Sequence, residues 1–172
     1  MSAFGIRRFT ALALALTLAA CVSVPKFEAA GDIHDFLVAV RNGDRAAFDA
    51  HVDKPALKAQ LRARLLAETA KAKGGTTVQA LGALLAGPLV DVAADALIRP
   101  EVFRAVAEYL GYKAEQPIPG RLAIAQMLRR IDADRVCAVE KKDGPCTLIF
   151  QNEGGTWKLA GFEGDLGRLR GR

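Results

Sequence analysis

Apolar positions along this chain come first as one unbroken run, then at helical spacing, and finally at alternate residues. Phe9 to Ala20 carries no charge and follows Arg7-Arg8. Ile33, Phe36, Leu37 and Val40 fall at i, i+3, i+4 and i+7, the stripe of an amphipathic helix. Asp32 is placed to cap that helix and Asn42-Gly43 to end it. Asp44 caps a second, short helix through Phe48 to His51. Asp53 and Pro55 then precede a longer one, with Leu57, Leu61 and Leu65 on one face, Lys58, Arg62 and Arg64 on the other, and Gly74-Gly75 as its stop.

Thr76 with Gln79 makes a capping-box pattern ahead of Leu81 to Ile98, the most apolar stretch beyond the leading run. Gly87-Pro88 breaks or kinks that stretch, because proline removes a donor and crowds the preceding turn. Pro100 suits the first turn of a further helix, with Phe103, Val106, Ala107 and Leu110 as its expected core stripe and Gly111 as its end. Tyr112 to Gly120 reads as a loop and Leu122 to Ile131 as helix. The period then changes to two. Val136 to Glu140, Cys146 to Gln151 and Thr156 to Phe162 read as strands, with turns at Asp143-Gly144 and Asn152 to Gly155. The pattern predicts an α+β fold, an N-terminal multi-helix layer packed on a C-terminal three-stranded antiparallel meander.

The leading run is about 12 residues long, against about 20 for a membrane-spanning helix, and its basic start and small-residue end are those of an export signal. It closes on Leu18-Ala19-Ala20-Cys21, which resembles the processing site of bacterial lipoproteins, with Cys21 as the lipid acceptor. The expected organisation is therefore a lipoprotein signal peptide over 1–20, a tether over 21–31, a single α+β domain over 32–163 and a basic tail over 164–172. Processing leaves about 150 residues, enough to bury a core without staples. It also removes two positive charges from the formal +5, so the surface is only mildly basic. Val22, rather than an aspartate, follows Cys21. By the sorting pattern of Gram-negative envelopes, that resembles an outer-membrane lipoprotein facing the periplasm.

Of three cysteines, Cys21 is assigned to lipid, which leaves Cys137 and Cys146 as a pair in an oxidising context. A disulfide is the expected state, with two buried free thiols as the alternative. A two-residue turn at Asp143-Gly144 pairs Cys137 with Phe150 and leaves Cys146 four residues along the ladder. The bridge therefore requires a wider or shifted loop around Lys141-Lys142.

Other chemistry is sparse. Asp91 and Asp95 share a helix face and are the candidate carboxylate pair, yet no further ligand or partner motif accompanies them; a polar stripe on an apolar helix is the plainer reading. His34 and His51 each lie beside aspartates and suit surface or capping roles better than metal binding. The one serine beyond the leader, Ser23, sits in the expected tether, so no triad is foreseen. Gly82 to Gly87 echoes a phosphate loop, but Pro88 stands where that motif needs lysine. Arg168, Arg170 and Arg172 lack an aromatic platform, so no nucleic-acid partner is expected. No catalytic residue, metal or cofactor is foreseen. The Leu81–Ile98 stretch is read as core, with partial membrane insertion as its alternative.

Val52-Asp53-Lys54-Pro55-Ala56-Leu57 and Ala94-Asp95-Ala96-Leu97-Ile98-Arg99-Pro100-Glu101 resemble the "V-D-x-P-A-L" and "D-A-L-x-x-P-E" segments of a bacterial domain-of-unknown-function family, number 2939. Asp134-Arg135 and Trp157-Lys158-Leu159 are similar to its C-terminal portion. The resemblance implies an exported or membrane-anchored protein and brings no catalytic residues. Gly155-Thr156-Trp157-Lys158-Leu159 also resembles strands of cone-shaped folds of the nuclear-transport-factor-2 type, which implies an apolar pocket. The expectation is a non-enzymatic envelope lipoprotein, held to a membrane by lipid on Cys21 and serving as an interaction or structural module for an envelope protein partner. The alternative is a periplasmic module for a small apolar ligand, with Phe103, Phe150, Trp157 and Phe162 as pocket walls.

Overall fold

A computed structural model describes residues 25–71, 88–141 and 143–163. Within them the order is α1 (25–42), α2 (Arg45–Ala50), α3 (Lys54–Lys71), α4 (Pro88–Leu97), α5 (Pro100–Tyr109), α6 (Arg121–Met127), β1 (Leu128–Arg130), β2 (Arg135–Val139), β3 (Cys146–Glu153) and β4 (Thr156–Phe162). The four strands form one antiparallel sheet in the order β1-β2-β3-β4. The fold is α+β, with the helices preceding the strands.

The first helix corrects the expected tether. Residues 25–31 are helical, and Ala29 and Ala30 are fully buried. Small residues give no hydropathic stripe, which hid this turn from the pattern, yet they allow close approach; the Arg121 guanidinium packs against Gly31. Asp32 consequently lies inside α1 rather than capping it, and its Oδ2 accepts the Trp157 N–H at 2.7 Å. Asp44 does cap α2, accepting from the Ala47 N–H at 3.0 Å, and Asp53 accepts from the Ala56 N–H at 2.9 Å at the start of α3.

Phe36 organises the core. Its ring lies 5.7 Å from Phe48, 6.0 Å from Phe103 and 6.1 Å from Phe150, and Phe48 and Phe103 meet at 5.2 Å. Ile33, Val52, Leu57, Ile98, Ile124, Leu128, Val136, Trp157 and Leu159 complete the same buried cluster. The expected stripe of α5 is mostly not part of it. Phe103 packs on the core, whereas Val106 and Leu110 are exposed. Similarly, the helix expected over Leu122–Ile131 stops at Met127, and three residues form β1, a strand too short to display a period of two.

Two bulges keep side chains on their proper faces. Val139 pairs with Cys146 while Ala138 pairs with Leu148, so Thr147 is an extra residue in β3. Ile149 pairs with Gly161 while Phe150 pairs with Leu159, so Ala160 is an extra residue in β4. Because facing alternates along a strand, each insertion flips the residues beyond it. Phe162 thereby returns to the core face after Leu159. The β3–β4 turn uses Gly154 and Gly155, both at positive φ (60° and 94°), the conformation a two-residue hairpin loop demands.

The outer edge of β4 is closed by the helical half. Leu159 donates to the His51 carbonyl at 2.9 Å, and Asp53 donates to the Leu159 carbonyl at 3.0 Å, making a short parallel bridge at Val52. Farther along, the Gln60 amide clamps Phe162: its Nε2 donates to the carbonyl at 2.8 Å, and its Oε1 accepts the N–H at 3.0 Å. Arg64 stacks its guanidinium 4.5 Å from the Phe162 ring. Truncating the fully buried Phe48 (Phe48→Ala) should lower the unfolding free energy by about 3–5 kcal/mol in urea titrations, because the ring leaves a cavity between α1, α2 and α5.

Candidate functional site

Cys137 and Cys146 form a disulfide, with Cα atoms 5.5 Å apart. The ladder sets Cys137 opposite Ile149, not Phe150, so the turn is wider than the two-residue turn at Asp143-Gly144. The Thr147 bulge decides the facing. Without it Cys146 would share the face of Leu148 and Phe150, on the helix-covered side. With it, Cys146 joins Cys137, Val139 and Ile149 in a second, small buried cluster. The Thr147 hydroxyl donates to the Ala138 carbonyl at 3.0 Å and holds the bulge. Arg129, from β1, donates to the Gly144 carbonyl at 2.9 Å and approaches Cys146 Sγ at 3.1 Å. Sequence reasoning missed this arginine, since β1 was not visible in the pattern.

Asp91 and Asp95 are brought to a partner surface that the sequence displays separately. Lys58 Nζ lies 2.7 Å from Asp95, and Arg62 lies 2.9 Å from Asp91. Each helix presents its two charges one turn apart, so α3 and α4 join as an antiparallel double ion pair. The hydrogen bond from Lys58 holds the Asp95 carboxyl below its ordinary range. Both carboxylates are exposed and screened by solvent, so neither pair contributes much to stability. Their effect is to set the register of α4, whose Ala94 is buried and whose Val92 and Leu97 face outward. The residues 72–87, including Thr76, Gln79 and Leu81 to Gly87, lie outside those described, as do Cys21, Val22, Ser23 and the arginines of 164–172.

His51 is the C-cap of α2, and its backbone carbonyl serves the β4 edge. His34 Nδ1 lies 3.0 Å from the Pro119 carbonyl, to which it donates. Asp49, beside His51, is paired with Lys54 at 2.6 Å. A further charged pair went unread in the sequence: Lys158 donates to Glu153 at 2.9 Å. The two lie five positions apart across the β3–β4 hairpin, and docking of the His51–Asp53 segment on β4 brings Asp53, 100 positions earlier, toward the same carboxyl group. The hydrogen bond from Lys158 holds the Glu153 carboxyl below its ordinary range. Among the described residues, no group of three or more His, Cys, Asp or Glu side chains is placed to hold a metal ion. Among them, too, no helix is long and apolar enough to cross a membrane.

The expected pocket walls are packing residues. Phe150 and Trp157 are buried in the main cluster, and Phe103 and Phe162 are packed against it. A hollow of about 440 Å³ lies instead on the outer face of α5, along Glu101, Val102, Ala105, Val106 and Tyr109.

The family model described as "Protein of unknown function (DUF2939)" matches residues 14–106, more than half of the chain. The chain belongs to DUF2939. The DUF2939 match contains both Val52–Leu57 and Ala94–Glu101, and with them the helical side of the β4-edge bridge and the α3–α4 ion pairs. It ends before the sheet, so Asp134-Arg135, Trp157-Lys158-Leu159 and both bridged cysteines lie beyond it. A comparison with curated proteins found no match, and a comparison with solved structures found none either.

Two outcomes follow from this geometry. Replacing both bridged cysteines by alanine should cost about 2–3 kcal/mol, the loop-closure value for so short a ring, read as a lower urea midpoint that reductant no longer shifts. For Glu153, a lowered folded pKa favours the folded state above the ordinary glutamate range. That contribution is lost as pH falls through the lowered value. Glu153→Gln should therefore flatten the acid limb of a stability-versus-pH curve.

Proposed function

We propose that this DUF2939 protein is a lipid-anchored envelope protein that acts as a non-catalytic interaction or structural module. The observation that carries the reading is Leu18-Ala19-Ala20-Cys21 at the end of an uncharged run behind Arg7-Arg8. Cysteine is the residue such a site requires, because its thiol accepts the lipid before cleavage. Each acyl methylene buried in a bilayer contributes about 0.8 kcal/mol, so several chains hold a domain of this size firmly. Val22 after the cysteine favours the outer membrane, with the domain in the periplasm.

Two structural features support the reading. The Cys137–Cys146 bridge suits an exported, oxidising compartment. The carboxylates considered as candidate chemistry, Asp91 and Asp95, are engaged in ion pairs that bind α3 to α4. A second reading, a binder of a small apolar ligand, has among the described residues only the open, shallow hollow along α5 to draw on.

The deciding experiment is the intact mass of membrane-extracted protein together with fractionation of Cys21→Ala. Lipid-modified Cys21 as the first residue, and release of the variant into the soluble fraction, are expected. An unmodified full-length mass, or a variant that stays on the membrane, overturns the reading.

A further inference from the structure

We propose that the end of the domain formed by the start of α1 and the start of α6 rests on the bilayer, with Phe27 and Leu122 as its lipid-facing side chains. The inference builds on lipidation of Cys21 and adds the orientation of the domain and the surface that meets lipid.

Spacing is the first argument. Only Val22, Ser23 and Val24 stand between Cys21 and Pro25, where α1 is already formed. Even fully extended, that connection spans about 14 Å. Nor does the helix begin as a loose arm. Ala29 and Ala30 are fully buried, Arg121 packs on Gly31, and Asp32 is bonded to the Trp157 backbone. An anchor at Cys21 therefore holds this end of the body close to the lipid headgroups.

The second argument is what this end displays. Phe27, one turn before Gly31, is 52% exposed, and Leu122 is 68% exposed. The start of α6 lies beside the same part of α1, through Arg121 against Gly31 and Pro119 against His34. Lys26 and Arg121 each precede one of the two apolar side chains in sequence, and the exposed Glu28 follows Phe27. Large apolar side chains beside cationic ones are the composition that settles at a headgroup boundary. The opposite end of α1 is about 24 Å away along the helix axis. There Arg104 donates to the Arg41 carbonyl at 3.4 Å, which places α5 and Val106 at the far end.

The test uses full-length, lipid-modified protein in phosphatidylethanolamine–phosphatidylglycerol vesicles, with or without bromine on the acyl chains. Phe27→Trp, Leu122→Trp and Val106→Trp are compared with the unsubstituted chain, whose single Trp157 is 2% exposed and serves as the internal background. All three positions are exposed enough to accept an indole without disturbing the core. Brominated lipid should lower the added emission at 27 and 122 and leave Val106→Trp and Trp157 unchanged. Vesicle-bound protein carrying lipid on Cys21 but unquenched at 27 and 122 overturns this orientation while leaving the anchor intact. Protein that lacks the lipid and stays off the vesicles overturns both.

Discussion

The outer edge of β4 is the joint on which the molecule depends. A sheet edge presents a row of N–H and C=O groups that must find partners or invite another strand. Here the partners come from the helical half of the same chain: the backbone of His51 and Asp53, and then the paired bonds of the Gln60 amide to Phe162. These contacts bridge roughly 100 positions of sequence, and they fix β4 so that Trp157 and Leu159 enter the core beneath α1. The Asp32–Trp157 bond secures the same edge two residues earlier in the strand. With β4 placed, the β3–β4 hairpin and β2 follow by local antiparallel pairing.

Much of this was legible from the residues. The change of period from helical to alternating located the boundary between the two halves, and β4 matches its reading from Thr156 to Phe162. The second turn was read over Asn152 to Gly155, and the structure narrows it to Gly154-Gly155, both at positive φ, with β3 running on to Glu153. The failures have physical causes. Ala29, Ala30 and Gly31 bury a helix by being small, which no hydropathic stripe records. Bulges at Thr147 and Ala160 break the parity on which any register argument rests, so the Cys137–Cys146 pair was expected without its geometry. The α5 stripe was real as a pattern, but only Phe103 of it reaches the core. Amphipathicity says that a face exists, not what covers it.

Charges follow a similar logic. Lys58 and Arg62 on one helix, and Asp91 and Asp95 on another, each looked like a solvated stripe when read alone. Their common spacing of one turn is what lets two antiparallel helices meet charge for charge. The Asp53, Glu153 and Lys158 group could not be read this way, because its members come from opposite ends of the fold and share no spacing. The DUF2939 segment holds the first of these devices and half of the second.

The disulfide spans only nine residues and joins neighbouring strands of one hairpin. A cross-link so local acts as a rivet within the sheet and does not tie one layer to the other. The helical layer is held to the strands by the buried apolar cluster, the Asp32–Trp157 bond and the β4 edge, to none of which the disulfide belongs. Reducing conditions would therefore loosen β2 from β3 while leaving the two layers together, and the family-matched half would keep its seat on the sheet.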